Sequence, residues 1–452
     1  MSRDLVKPRP ISGFPEFLPD EQITFDWARD LIRRHYESFG FTPIETPAVE
    51  RTEVLLAKGG NDREIYGLRR LADDETPQRG DDPSDLALHF DLTVPLARYV
   101  AQNAGQLPFP FRRYQIQPVW RGERPQAGRY RQFYQADIDV IGDGALSLFN
   151  DAEMPAIISG IFAEMTIGPF TIRINNRKVL RGLLASIGLE ANEAEAIRAF
   201  DRIDKIGRER TAQQLADLGG SDEGIASLLA LADPGRGTDD WLEHLGTMSV
   251  NDLFAQGVNE LRTVVEGVRA MGVPEDHFAV DPSLARGLDY YTGTIYETRL
   301  NDHLEVGSIC GGGRYDNLAE NYTTRQLPGV GISIGLTRMI PRLFEAGVLT
   351  PGRSTPARIL VTLFGDEQWP HLLRLAAELR EAGIPTEVYA EAKKLKQQLK
   401  YAARKGHDLV VIAGPNEVAA GTVNLKDMRE GGGQQTVEVA QLTRVATEAL
   451  SR

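Results

Sequence analysis

Among 452 residues there is a single cysteine, Cys310. An internal disulfide is therefore impossible, and so is a zinc site built on paired thiolates. Any metal must be held by oxygen ligands or arrive with a substrate, and no ion held by the protein alone is expected. Long apolar runs are missing too. None approaches the roughly 20 residues that a membrane helix requires, and the opening MSRDLVKPRPISGF lacks the charged-then-apolar order of a signal peptide. A cytoplasmic location without membrane attachment is the expectation. Positive charge is scarce: 51 Lys and Arg against 64 Asp and Glu leave a net charge of −13. That balance argues against broad, sequence-independent binding of nucleic acid, which needs a basic surface to attract phosphate, while leaving room for a local basic patch. The acidity lies ahead of Pro356, and from there to the end the charges nearly cancel.

The chain is too long for one ordinary core, so two or three domains are expected. A first helix is predicted from about Glu21 to Ser38, with Asp20 as its N-cap, Ile23, Trp27 and Leu31 on one apolar stripe, and Gly40 ending it. FTPIETPAVERTEVLLAKGG reads as a Pro-punctuated extended run followed by a short helix, and the acidic Leu71 to Asp85 stretch as a surface loop. Strand-like segments fill Leu86 to Ile141. From Asn176 to Val280 the pattern turns helical and rich in Leu, Ala, Glu and Arg, as an inserted helical domain would be. Strand signals return from Phe278 to Gly335. Beyond the linker LTPGRSTPAR, strand and helix alternate, which indicates a separate α/β domain with a largely parallel sheet. The expected division is a front body of residues 1–175 and 277–345, a helical insertion at 176–276, a linker at 346–355 and an α/β domain at 356–452.

Chemistry concentrates in five segments. PVWRGERPQAGRYRQFYQADIDVIG, Pro118 to Gly142, has two strand-like arms around an Arg-rich loop. Alternation on the second arm puts Arg131, Phe133, Gln135, Asp137 and Asp139 on one face and Tyr134, Ala136, Ile138 and Val140 on the other. The polar face either meets solvent or lines a polar pocket. Arg121 across the hairpin favours the pocket, because a guanidinium fork suits phosphate and the carboxylates suit a donor-bearing ligand. FAVDPSLARGLDYYTGTIYE, Phe278 to Glu297, places Arg-Gly and two adjacent tyrosines where a core strand with a turn would also fit. HFDLTVPLARYV, His89 to Val100, reads as a helix start capped by Asp91 or Thr93, with His89 structural. SICGGGRYDNL carries Gly311 to Gly313, either a plain turn or a close approach to a ligand, and Cys310 reads as a small packed residue. In PGVGISIGLTRMIPRLF, Pro328 to Phe344, a strand passes into a helix at Gly335. Arg338 then falls in the first helical turn, where the dipole disfavours a cation unless an anion offsets it.

The Pro118 to Gly142 hairpin resembles motif 2 of the class II aminoacyl-tRNA synthetases. RGLDYYTG resembles a signature peculiar to the histidyl-tRNA synthetases, SICGGGRYDNL a second one, and PGVGISIGLTRMIPRLF motif 3. The resemblance spans essentially the whole chain. It implies an α+β catalytic domain with an antiparallel sheet (the class II synthetase fold), a helical insertion that touches the acceptor arm, and a C-terminal α/β anticodon-binding domain. It also implies that Arg121 and Arg286 serve the α-phosphate in catalysis, with Arg121 meeting the amino-acid carboxylate as well. Arg338 then holds the γ-phosphate, Glu123 lies near the adenine amino group, and Arg124 and Gln126 face the tRNA acceptor end. For histidine it implies Asp91, Thr93 and Gln135 around the ammonium, Asp139 as acceptor of an imidazole N–H, and Tyr290 and Tyr291 as pocket walls.

By the same resemblance L-histidine, ATP with Mg²⁺, and tRNA(His) are the partners, and GFTPIETPAVERTEVL, similar to motif 1, implies a homodimer. The basic cluster from Lys393 to Lys405 lies beside the implied anticodon-binding surface, and a solvated helix face accounts for it equally. The reaction needs positioning and charge stabilisation but no protein nucleophile. A pocket bonded to both imidazole nitrogens would discriminate by about 10⁴–10⁵, so editing is not expected. Two other families enter the comparison. Regulatory subunits of ATP phosphoribosyltransferase typically lack the C-terminal domain and erode the arginine of RGLDYYTG, both of which this chain keeps. The sister ligases for proline, threonine and glycine are disfavoured by Asp139 and the tyrosine pair.

Overall fold

A computed structural model describes residues 5–57, 64–69, 85–124, 128–233, 235–285, 291–317 and 319–451. The expectations for Arg286, Tyr290 and Gln126, and nearly all of the acidic loop, lie outside the described residues. Two compact units make up the chain: Met1–Pro15 with Ala28–Leu349, and Glu16–Trp27 with Thr350–Arg452.

The first helix, α1 (Pro19–Ser38), starts ahead of the expected cap, so Asp20 lies within its first turn. Its buried side carries Phe25, Ala28, Ile32 and Tyr36, spaced three and four apart, whereas Trp27, expected in the stripe, is 40% exposed. Next come β1 (Thr42–Pro43), β2 (Val49–Arg51), α2 (Thr52–Leu56), β3 (Leu86–Leu88), α3 (Thr93–Asn103), β4 (Phe111–Trp120), β5 (Gln132–Ile141), α4 (Phe149–Met165) and β6 (Phe170–Asn176). The helical stretch holds α5 (Arg177–Ser186), α6 (Glu193–Phe200), α7 (Ile203–Ile206), α8 (Arg208–Asp217), α9 (Asp222–Ala230), α10 (Thr238–Thr247) and α11 (Asp252–Ala270). Side-chain caps start three of them: Asn176, Ser221 and Asn251 accept from backbone N–H groups at the heads of α5, α9 and α11. Along α11, Phe254, Val258, Leu261, Val265 and Val268 are buried at helical spacing, and the helix packs against α4, α5 and β6.

The chain returns to the sheet as β7 (Phe278–Val280), β8 (Thr294–Leu300), β9 (Ser308–Tyr315) and β10 (Gly329–Gly335), then closes the larger unit with α12 (Leu336–Glu345). Eight strands pair in the order β1-β4-β5-β10-β9-β8-β6-β7. All neighbours are antiparallel except the end pairs β1 with β4 and β6 with β7. One face is apolar: Ala136, Ile138, Val140, Val330, Ile332, Ile334, Ile172 and Ile174 are buried, and α4 lies against this sheet with Ile158, Ile161 and Phe162 in the core. Tyr36 of α1 donates to Ala136 O at 2.9 Å. A buried ion pair, Arg314 Nη2 to Asp151 Oδ2 at 2.6 Å, ties β9 to α4.

In the second unit β11 (Ile359–Val361), α13 (Trp369–Glu381), β12 (Thr386–Val388), α14 (Leu395–Lys405), β13 (Leu409–Ile412), α15 (Pro415–Ala420), β14 (Thr422–Asp427), β15 (Gln434–Glu438) and α16 (Leu442–Leu450) build a five-stranded sheet ordered β12-β11-β13-β14-β15. Only the first three strands are mutually parallel, and β14 and β15 pair antiparallel, so the sheet is mixed where a largely parallel one was expected. The reason lies in β15: QQTVE buries Val437 alone, so its apolar alternation is nearly silent.

Candidate active site

The opposite face of the eight-stranded sheet is polar, and strand register explains how. On β4 and β5, Arg113, Gln115 and Gln117 stand directly across from Asp139, Asp137 and Gln135, while on β10 the partners of those three are Gly331, Ser333 and Gly335. Opposed residues of an antiparallel pair share a face. The face is not solvated: Arg113 is 0% exposed, Asp137 2%, Asp139 4% and Gln135 9%. Of the two readings of the alternating strand, the polar pocket is the one the structure supports. Gly331 makes room for it, since a Cβ there would stand 2.2 Å from Asp139 Oδ1.

Two cavities open on this face. The larger, about 330 Å³, is lined by Arg121, Glu123, Arg129, Phe133, Gln135, Cys310 and Arg338 among others. The smaller, about 70 Å³, is lined by Asp91, Thr93, Arg121, Gln135, Asp137, Asp139, Tyr291, Tyr315 and Ser333 among others. They share Arg121, Gln135 and Ser333. Of the residues singled out in the sequence, Arg121, Glu123, Gln135 and Arg338 thus meet at the larger cavity, and Asp91, Thr93, Arg121, Gln135, Asp139 and Tyr291 at the smaller. Arg124 is exposed and lines neither. Another groove, about 550 Å³, lies between α6 and α8, with Glu195, Arg198, Arg202 and Asp217 along it. It is a mixed-charge surface groove on the helical stretch and offers no convergent polar set, so the sheet cavities are the better site.

Local contacts aim these groups. Arg121 Nε donates to Phe90 O at 3.0 Å, and the guanidinium lies 5.0 Å from the Phe133 ring centre. Asp91 Oδ1 accepts from Val94 N at 3.1 Å, so Asp91 satisfies a first-turn N–H of α3 from one position ahead of its N-cap, Leu92, and it also lines the smaller cavity. Asp139 is held on both oxygens, by Arg113 Nη2 at 2.5 Å and by the Tyr315 hydroxyl, which donates at 2.6 Å. Glu123 and Arg129 pair at 3.5 Å on the loop side.

Burial dominates the electrostatics. It raises Asp137 to about 7 against the pull of Arg113 and a hydrogen bond from Ser333, and raises Asp91 to about 6 against the Val94 N–H and Arg121. It raises Asp139 as well, with Arg113 and Tyr315 opposing. His89 is fully buried, its Nε2 lies 2.8 Å from Pro118 O, and burial lowers its pKa, which fits the structural part expected of it. Burial also drives the Cys310 thiol upward, so it is a packed neutral group beside the larger cavity.

A testable consequence concerns Asp137. Its folded pKa of about 7 lies above the ordinary 3.8, so its contribution to stability is whole below pH 3.8 and lost as pH rises through 7. Asp137→Asn, similar in shape and uncharged, is expected to gain on the wild type by about 2–3 kcal/mol between pH 5 and pH 8 in ligand-free unfolding measurements. A gap between the two proteins that does not change with pH would refute it.

Sequence reasoning gave no role to Arg113, Asp137, Ser333 or Tyr315. Alternation of Arg113, Gln115 and Gln117 along β4 was there to be read, but the long loop between β4 and β5 leaves the register open, and register decides which carboxylate each meets.

An antiparallel sheet carrying a buried polar floor, an arginine just after β4 and another on the helix that follows β10 defines the fold of the class II aminoacyl-tRNA synthetases. The pattern of the histidyl-tRNA synthetase family matches residues 13–339, and that of an anticodon binding domain matches 359–448. The chain belongs to the histidyl-tRNA synthetase family. It is 47% identical to the histidine–tRNA ligase of Xanthomonas axonopodis pv. citri (strain 306), covering 94% of this chain and 92% of that protein. Against the histidine–tRNA ligase of Clostridium tetani (strain Massachusetts / E88) it is 43% identical, covering 99% and 100%. The crystal structure of histidyl-tRNA synthetase from Nostoc sp. PCC 7120 superposes with a TM-score of 0.89 at 44% identity, covering 98% of this chain and 100% of that one.

Proposed function

We propose that this member of the family ligates L-histidine to the 3′ end of tRNA(His) in two steps on the polar face of the eight-stranded sheet. Histidine carboxylate attacks the α-phosphate of ATP, pyrophosphate leaves, and a terminal ribose hydroxyl of the tRNA then takes the acyl group from the adenylate. The observation that carries this reading is the pair of joined cavities with Arg121 lining both. An amino acid in the smaller and a nucleotide in the larger would place carboxylate and α-phosphate on either side of one guanidinium, where charge grows in the transition state.

In this reading Gln135, Asp91 and Thr93 take the ammonium, Asp139 and Tyr291 the imidazole, Arg338 the γ-phosphate and Glu123 the adenine. Arg286 and Tyr290 are assigned by the resemblance alone, as are Arg124 and Gln126 for the acceptor end. Mg²⁺ enters on the ATP phosphates as part of that substrate. The helical stretch at 176–276 receives the acceptor arm, the domain at 356–452 the anticodon, and two chains pair as a homodimer in the cytoplasm. Among the described residues no helix is long and apolar enough to cross a membrane.

The test is ATP–pyrophosphate exchange with each amino acid offered separately. Exchange driven by histidine alone is the expected result, followed by charging of tRNA(His). A folded chain that binds histidine without exchange would overturn the reading in favour of a regulatory histidine-binding protein.

A further inference from the structure

We propose, resting on that reading of the smaller cavity, that Asp137 joins Gln135 in seating the α-ammonium of the amino acid, beside Asp91 and Thr93 on the same cavity, which makes Asp137 a direct substrate contact. Asp137 and Gln135 both line the cavity, and both are at least nine-tenths buried. Gln135 Nε2 donates to Ser333 Oγ at 2.8 Å, and Ser333 stands directly across from Asp137 in the β10–β5 register. Among the described residues, Gln135 Oε1 and Asp137 Oδ1, both buried, have no hydrogen-bond partner. Buried acceptors without donors are costly, and two of them beside one serine mark a place for the donors of a ligand.

The chemistry of histidine narrows the choice. Its carboxylate brings only acceptors, and its neutral imidazole brings one N–H. Its ammonium brings three donors and a full positive charge, which suits a neutral and an acidic acceptor side by side. Asp139, two residues further along β5, is placed differently. Its oxygens are engaged by Arg113 and Tyr315, so it is a braced acceptor at the far end of the cavity, away from Arg121 at the strand's start. An amino acid anchored by its carboxylate at Arg121 would then pass its ammonium to Gln135 and Asp137 and extend its ring toward Asp139.

Calorimetric titration of the full chain with three ligands separates this from other roles: L-histidine, L-histidinol, which keeps the amine but has no carboxylate, and 3-(imidazol-4-yl)propionate, which has no amine. Asp137→Asn is expected to weaken the two amines by about tenfold or more while leaving the propionate within about twofold. Ser333→Ala, which removes the hydroxyl that orients Gln135 and stands across from Asp137, should show the same selectivity and serves if the first variant does not fold. Equal weakening of all three ligands, or of none, would overturn the assignment. Failure of the wild-type chain to bind histidine would overturn the functional reading and this assignment together, whereas histidine-driven exchange with an unselective Asp137→Asn would overturn the assignment alone.

Discussion

Replacing Arg121 by Ala is expected to slow histidine-dependent ATP–pyrophosphate exchange by about 10²–10³, as the loss of one well-aimed electrostatic group does elsewhere. The side chain is half-buried at the junction of the two cavities, with Nε fixed on Phe90 O and its plane over Phe133. That fixing leaves the end of the fork directed at whatever occupies the junction, without reorganisation when charge develops there. The apolar side of the sheet does not depend on it, so the variant should fold with an unchanged thermal midpoint. Charge alone should not suffice: Arg121→Lys supplies a point charge without the planar fork and is expected to fall between wild type and alanine. The loss should appear in kcat, because the group meets charge formed in the transition state, and also as a raised KM for histidine, whose carboxylate it anchors. Exchange within tenfold of wild type for the alanine variant would mean that the junction is not where the chemistry occurs.

How far could this be seen in advance? The alternation of Gln135, Asp137 and Asp139 against Ala136, Ile138 and Val140 predicted a two-faced strand, and the sheet built from it has those two faces. Gly335 ending a strand and Arg338 opening a helix were likewise local facts, written in a short stretch of chain. Local signals carried the first unit well because its long strands β5 and β10 announce their own period. They failed for β15, which has one buried apolar residue, and for the face of α1, where two overlapping apolar rows are possible and burial decides between them.

What could not be read was everything that depends on pairing. Arg113 lies 26 positions before Asp139, and only the β4–β5 register makes them neighbours. Ser333 and Tyr315 reach the same floor from strands almost two hundred residues further along. A polar face also carries no mark of its own burial. The same alternation serves a strand at the surface, and it is the covering of this floor that turns carboxylates into groups with raised pKa values.

That distinction sets up the largest stability effect expected in the molecule. Arg113→Met should destabilise the chain by about 3–5 kcal/mol, because it removes the guanidinium beside a buried Asp139 while leaving the carboxylate in place. The Tyr315 hydroxyl would still donate to Asp139 Oδ1, so the pocket would retain one support but no compensating charge. Removing the stranded charge should reverse much of the loss: the double variant Arg113→Met, Asp139→Asn is expected to be more stable than Arg113→Met alone, by unfolding measured at neutral pH. The gain should shrink in acid, where Asp139, its pKa already raised by burial, takes up a proton and becomes neutral by itself. A double variant no more stable than the single one at neutral pH would show that Arg113 acts through packing of its stem and not through its charge. In that case the polar floor would not be the electrostatically coupled unit that places an acceptor opposite Arg121.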